Sequence, residues 1–386
     1  MITEPYLLVL NIALYRHQGA YWADPLWRKD LEAHRAEIAD LAIACPVHDA
    51  MPPDTWEKLS DPGITVHPLP PLGRASYLTW PFLAVRLWQA ISRATIVHSG
   101  VAGWPFPLGW IAIPLARLRR RFVVLVVESA FWRIPPGVSA SPLAQARARM
   151  TEAVNRRMAR WCDITFFTTQ SYRDTLLGTP TASAHVLPAV WVDEAQLTTP
   201  ERLAASAEAK GTALLFAGRL TAGKGVALLL DAIARSGVPV DIMGEGDLRD
   251  TVSAAQRADP TLVTLLDPVD YGTAFSTVLD RYAAVIVPTI SDEQPRIVFD
   301  AFARGVPVVA SATTGNRQIV EHERTGLLFE PNDPQALADA LLAARRDPAR
   351  LRRMGEAALA SMASQTHAAM HATRAHAIAE ALAARG

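Results

Sequence analysis

Short, continuously apolar runs recur along this chain with helix-length stretches between them, and this alternation restricts the fold more than any other feature. Runs at 6–12, 38–44, 64–69, 95–98, 122–127 and 164–168 are mostly rich in Val and Ile, and several are apolar throughout. A strand of that kind is buried on both faces, as in a parallel sheet covered by helices above and below. Residues 81–92 and 143–161 have helix length and lie between such runs. The pattern restarts after residue 200, with runs at 213–217, 240–243, 262–265, 284–287 and 306–310. Two such series predict an α/β protein built on two doubly wound, Rossmann-like parallel sheets. Ligands of open parallel sheets sit at the carboxyl ends of the strands, so a central cleft faced by both domains is the expected site.

A length of 386 residues suits two domains. Residues 198–211 are polar, Ala-rich and free of strand patterning, which reads as a linker. The predicted organisation is a first domain at 1–197, a second at 198–366, and an Ala-rich C-terminal helix at 367–386 packing back toward the first. Lys+Arg and Asp+Glu balance at 38 each, so bulk charge supports no nucleic-acid partner. Cys45 and Cys162 are too few for a disulfide framework or a metal cluster, which points to a reducing cytoplasm. Residues 1–5 lack the basic start and apolar run of a signal peptide. The most apolar stretch, 101–118, is interrupted by Pro105, Pro107 and Pro114 and stops at Arg119, Arg120 and Arg121. A spanning helix needs about 20 uninterrupted apolar residues, so none is predicted, and surface contact with the inner face of a membrane stays open.

The chemistry-bearing residues concentrate in the second half. In the first constellation a buried strand ends at Gly218, a loop carries Arg219 and Lys224, and a helix starts near Gly225. Glycine at a strand end lets a ligand approach the backbone, and the two cations can neutralise a diphosphate; taken singly they also read as solvated loop residues. The second, Gly244-Glu245-Gly246-Asp247, is another glycine turn between strand and helix. It reads equally as a ligand contact and as a plain turn with positive φ. In the third, an acidic loop with Asp292 and Glu293 leads to Pro295 and then a helix carrying Arg296, Ile297, Val298 and Asp300. Free N–H groups at that helix start can bind phosphate oxygens, and a carboxylate one turn in can accept from a ribose diol. An ordinary i,i+4 pair of Arg296 with Asp300 explains those two residues but not their placement with Arg219 and Lys224.

These three stretches, in this order and spacing, resemble the donor-binding half of a retaining glycosyltransferase of family 4, with the GT-B fold, from about Leu214 to Arg345. The resemblance implies that Asp300 holds the donor ribose and Asp292 the donor sugar, with Glu293 beside it. It implies that Arg219 and Lys224 bind the pyrophosphate, helped by amides near Ile297 and Val298. The family usually has two glutamates where this chain has Asp292 and Asp300, and Gln318 stands where many members have glutamate. In the first half, Gly19 falls where the family sets a glycine loop against the donor phosphates. Residues 187–193 look like its interdomain crossing. Glu128 falls where it often has a histidine touching the donor sugar. A carboxylate there can bond a donor hydroxyl or the acceptor nucleophile, or else cap a helix or pair with Arg133. His17 and His98 also lie near strand ends and read first as structural.

The implied reaction moves a hexosyl group, with retention, from a UDP- or GDP-linked sugar to a hydroxyl of a saccharide or lipid-linked saccharide, as in bacterial polysaccharide, lipopolysaccharide or glycolipid assembly. Cations and helix-start amides can stabilise the departing diphosphate, so no metal and no cofactor are expected. A nucleotide-sugar epimerase of the same fold and a non-catalytic sugar-nucleotide-binding protein are the alternatives. Trp80, Trp88, Trp104 and Trp110 with the arginines at 119–121 read either as core packing with a solvated helix end or as a face for anionic lipid.

Overall fold

The computed structural model describes residues 1–385 except 74–79, 135–138, 180, 207–210 and 291–293. Its contacts divide the chain into two units. The first holds Met1–Ile134, Ser139–Pro188 and the stretch from Met370 onward, and the second holds Ala189–Ala369.

In the first unit the strands are β1 (Tyr6–Val9), β2 (Leu14–His17), β3 (Ala20–Ala23), β4 (Leu41–His48), β5 (Glu57–Lys58), β6 (Ile64–Leu69), β7 (Ile96–Gly100), β8 (Phe122–Val127), β9 (Ile164–Phe167) and β10 (Ala184–Val186). They run in the order β10-β9-β8-β7-β1-β4-β2-β3-β5, with β6 also paired to β4. Pairing is parallel except between β2 and β3 and between β3 and β5. The helices are α1 (Pro25–Glu37), α2 (Trp80–Ser92), α3 (Gly109–Leu118), α4 (Pro142–Trp161) and α5 (Gln170–Leu177). Successive side chains of a strand point to opposite faces, and both faces are covered. In β1, Leu7 and Val9 join one core and Tyr6 and Leu8 the other; in β8, Val123, Leu125 and Val127 face one and Phe122 and Val124 the other. Each fully buried aliphatic side chain contributes roughly 1.5–3 kcal/mol, which is why the uninterrupted apolar runs became central strands.

The second unit contains α6 (Pro200–Ser206), β11 (Leu214–Ala217), α7 (Val226–Ser236), β12 (Val240–Met243), α8 (Arg249–Ala258), β13 (Val263–Leu266), α9 (Thr273–Leu279), β14 (Ala284–Val287), α10 (Arg296–Ala303), β15 (Val308–Ser311), α11 (Thr314–Arg317), β16 (Gly326–Phe329), α12 (Pro334–Arg346) and α13 (Pro348–Ser361). The sheet order is β13-β12-β11-β14-β15-β16, parallel throughout. Here too Leu214 and Phe216 face one core and Leu215 the other. The last helix, α14 (His367–Ala383), sets Ala375 and Ile378 into the first unit's core.

Three details differ from the sequence reading. Gly19, expected in a turn after the first strand, forms with Gln18 the turn of the later β2–β3 hairpin; their φ values of 76° and 50° are those of a two-residue hairpin turn with both residues left-handed. Within the predicted linker at 198–211, residues 198–206 are not open chain. Pro200–Ser206 is helical, the Thr198 amide donates to Ala303 O at 2.8 Å, and Leu203 is buried. Residues 189–197, read as the end of the first domain, pack in the second, where Val190 and Val192 enter its core. The same segment is held by Arg304, whose guanidinium donates to Gln196 O at 2.8 Å while gripping Asp280 at 2.6 and 2.8 Å.

Removing that guanidinium leaves Asp280 and a carbonyl without their donor. Arg304→Met is therefore expected to destabilise the second domain by about 2 kcal/mol, read as a lower urea midpoint with unchanged slope. An unshifted midpoint would show that this bridge does not hold the segment.

Candidate functional site

In the second unit the three motif loops follow β11, β12 and β14 at their carboxyl ends, and backbone contacts hold them together. The amide of Gly218 donates to Met243 O at 3.0 Å, that of Leu220 to Glu245 O at 2.7 Å, and that of Leu248 to Leu220 O at 2.9 Å. On the other side, the Ile290 amide and the Thr289 hydroxyl donate to Gly223 O at 3.2 and 3.1 Å. The glycines make these approaches possible. A Cβ on Gly244 would stand 1.9 Å from Gly218 O, and one on Gly225 would stand 1.9 Å from Pro288 O. Gly244, at φ 153°, is buried, so it serves the packing of the loops, and its side-chain-free backbone carries Gly218 with it. Arg249 braces the second loop by donating to Gly244 O at 2.8 Å. From this frame Arg219 projects exposed and Lys224 half-buried.

The third motif continues into α10. The Val298 amide already donates to Pro295 O at 3.2 Å, so the first-turn amides directed outward are those of Arg296 and Ile297. Asp300 is buried one turn in, at 8% exposure, and accepts from the Tyr271 hydroxyl at 2.8 Å. Burial first, and then the Asp300 charge, raise the Tyr271 pKa far above its ordinary value, so Tyr271 stays a donor. The exposed Arg296 guanidinium lies 5.2 Å from the centre of the Trp191 ring, which stacks on His367 at 5.3 Å. Tyr271 and Trp191 are thus parts of the constellation that motif reading missed; Tyr271 sits between β13 and α9, where no motif residue stands beside it. Asp292 and Glu293 lie outside the described residues. Their neighbour Gln294 accepts from the Ala189 amide at 2.8 Å.

In the first unit Glu128 follows β8 and is exposed, and its carbonyl accepts from the Thr168 hydroxyl at 3.2 Å. Arg133, the alternative partner, is bound instead to Glu152 at 2.9 and 3.0 Å and to Thr175 at 2.7 Å. Glu128 lines a cavity of about 300 Å³ with Asn11, Asp30, His34, His98 and Arg374 among its other walls. His98 is buried and shares a 2.8 Å hydrogen bond with the Tyr6 hydroxyl; burial above all drives its pKa well below the ordinary value, so the ring is neutral. His17 ends β2 at the hairpin. Gly19 makes no close approach to any neighbour, so its left-handed φ alone explains glycine there.

Asp30, His34 and His371 form the set among the described residues whose ligand atoms, all within 4.8 Å of one another, can hold a metal ion. They are hydrogen-bonded as they stand. His34 Nδ1 lies 2.9 Å from Asp30 O and 3.3 Å from its carboxylate, and His371 Nε2 lies 3.1 Å from the other carboxylate oxygen. A divalent ion would have to displace those contacts beside the Arg374 guanidinium of the same cavity. Burial lowers the His371 pKa to about 3, so it donates to Asp30 as a neutral ring.

The family model described as glycosyl transferases group 1 matches residues 211–347, which run from the first motif strand to the end of α12. This stretch is similar to that family. A D-inositol 3-phosphate glycosyltransferase of Pseudarthrobacter chlorophenolicus is 34% identical over 158 residues, which cover 38% of this chain and 37% of that protein. The chain spans between 18% and 37% of the length of the first curated relatives it matches. Two solved structures match nearly end to end. Sucrose-phosphate synthase of Thermosynechococcus elongatus has a TM-score of 0.73 at 19% identity and covers 99% of this chain and 100% of its own. HepE of Anabaena in complex with UDP-glucose has a TM-score of 0.68 at 16% identity, covering 99% and 100%. At such identities the likeness is one of fold, and the fold is GT-B.

The loop frame is directly testable. Gly225→Ala would place a methyl group against Pro288 O and force alanine to φ 74°. It is expected to cost about 2 kcal/mol or more, read as a fall in melting temperature. A variant melting like the parent would show that the two loops can part without penalty.

Proposed function

We propose that the protein is a retaining glycosyltransferase that moves a hexosyl group from a nucleoside diphosphate sugar to an acceptor hydroxyl. The observation that carries this reading is the backbone frame that binds Arg219 and Lys224 to the loop ahead of α10. In the reaction the anomeric C–O bond to the diphosphate breaks, and a new C–O bond forms to the acceptor oxygen. The nucleoside diphosphate departs with the bonding electrons, and its leaving oxygen takes the acceptor proton. Arg219, Lys224 and the first amides of α10 take up the charge growing on that leaving group. They are fixed beforehand and need no rearrangement as the charge develops. Asp300, held by Tyr271, accepts from the ribose diol, and Gly218 lets the diphosphate near the backbone. Asp292 and Glu293 bind the donor sugar in this reading, and Glu128 bonds a donor hydroxyl or the acceptor nucleophile. HepE, which shares the fold, binds UDP-glucose, and a UDP- or GDP-linked hexose is the corresponding donor here.

The acceptor in this reading is a saccharide or lipid-linked saccharide met at the inner face of a membrane during polysaccharide or glycolipid assembly. No described helix is long and apolar enough to cross a membrane. A surface for one is available: α2 exposes Phe82 and Val85, with the Arg86 guanidinium 5.0 Å from the Phe82 ring centre, and α3 ends at exposed Leu118. The arginines after α3 are less free than a solvated helix end, since Arg119 stacks 3.7 Å from the Trp88 ring centre and Arg121 donates to Ser92 O at 2.8 Å. Trp80 packs on Phe106 and Trp110 donates to Asn155 at 2.8 Å, which leaves Trp104 as the exposed one of the four tryptophans.

Incubation with a panel of nucleotide sugars, with and without lipid extract, is expected to release nucleotide when donor and acceptor match. Lys224→Ala and Asp300→Ala should each lower that turnover by about 100-fold or more. Undiminished turnover in both variants would sink the assignment, and donor isomerised without an acceptor would make the protein an epimerase. Replacing Phe82, Val85 and Leu118 together by serine should abolish co-sedimentation with anionic liposomes; equal binding would remove the membrane from the reading.

A further inference from the structure

Arg374 is a buried arginine, 6% exposed, on the wall of the first domain's cavity. Its Nε has no hydrogen-bond partner, and its Nη2 reaches the weak acceptor Met370 Sδ at 3.7 Å. No carboxylate among the described residues of this domain pairs with it. Asp30 lines the same cavity, but its carboxylate already receives His34 Nδ1 and His371 Nε2. An unpaired guanidinium removed from water costs several kcal/mol, so a fold retains one where something anionic arrives to meet it. A second orphan stands nearby. His34 Nδ1 must carry the proton, because its neighbour at 2.9 Å is a carbonyl, and His34 Nε2 is buried without a partner. That Nε2 is an acceptor in the neutral ring and can take a ligand O–H.

The location fits a ligand. Asn11 follows β1, Gly100 ends β7, and Glu128 and Ser129 follow β8, so the cavity lies at the carboxyl ends of three adjacent parallel strands. Arg374 arrives from α14, the final helix of the chain, which no motif marks. The cavity therefore joins a buried guanidinium without a direct carboxylate contact, an imidazole acceptor and an exposed carboxylate at Glu128.

We propose that this cavity binds an oxyanion, a phosphate monoester or a carboxylate, carried by a polyhydroxylated acceptor, with Arg374 as its anchor. The proposal rests on the transfer reading above and supplies the acceptor's class. The guanidinium fork meets two oxyanion oxygens, as its planar geometry favours, and His34 and Glu128 take ligand hydroxyls.

The test is calorimetric titration of the full chain with the donor site saturated by UDP, or by GDP if that nucleotide binds instead, so that Arg219 and Lys224 are occupied. Inorganic phosphate and glucuronate, the two probes, should bind at least about tenfold more tightly than glucose, and whichever binds tighter names the source of the oxyanion. Arg374→Met should lose that preference, keep UDP affinity within about twofold, and melt at a higher temperature, since it removes an unpaired buried charge. A purely structural arginine would give a lower melting temperature instead. Arg374→Lys, which keeps the charge without the fork, should weaken phosphate by about three- to tenfold and serves as the readout should the methionine variant not fold. Phosphate affinity unchanged in either variant overturns the proposal, as does phosphate displaced by UDP. Absence of both UDP and GDP binding in the parent chain would instead defeat the donor reading, while an Arg374-dependent phosphate site would still stand.

Discussion

The candidate donor site depends on two of the second domain's close backbone approaches, Gly218 with Gly244 and Gly225 with Pro288. Neither approach tolerates a Cβ, since the nearest carbonyl would stand 1.9 Å away in each case. The result is a loop cluster whose position is set by main-chain hydrogen bonds between neighbouring strand ends, with little left to side-chain choice. Arg219 and Lys224 therefore extend from a rigid base, and the start of α10 is fixed beside them through Thr289 and Ile290. Electrostatic stabilisation of a leaving diphosphate requires such fixed charges, because mobile ones would spend much of their effect on reorganising.

The first domain uses a different device. Its cavity is walled by buried polar side chains from distant parts of the chain: Asp30 and His34 from α1, His98 from β7, Arg374 from the last helix. Most are satisfied. Tyr6 bonds His98, and both imidazoles of His34 and His371 converge on Asp30. Buried polar networks of this kind are costly where a member lacks its partner. Arg374 and His34 Nε2 are those members. Polar groups without partners inside an otherwise satisfied network mark the place where a ligand's own polarity completes it.

The central strands were legible in the sequence because a strand buried on both faces has no room for polar residues, and β1, β8 and β14 show this plainly. The β2–β3 hairpin, the short β5 and the edge strands β10 and β16 were not. Strands of two to four residues outside the sheet centre carry too little apolar patterning to stand apart from loops. Residues 189–206 were misread for a related reason: neither the end of the expected first domain nor the polar, Ala-rich stretch after it shows whether Arg304 and Ala303 will bind it. In the candidate site, Arg219, Lys224 and Asp300 could be named because each sits next to a glycine turn or a helix start. Tyr271, Trp191 and Arg374 could not, because each reaches its place through contacts remote in sequence.

By itself the sequence determined the class of fold, the positions along the chain of the central strands and the three loops that follow them. Those properties follow from local apolar periodicity and from glycine, whose conformational freedom is readable one residue at a time. Tertiary structure alone decided that Gly244 serves Gly218, that Tyr271 holds Asp300, and that His371 and Arg374 join Asp30 and His34 across more than 300 residues of chain. Such pairings depend on how helices pack against a finished sheet, and no periodicity along the chain encodes them.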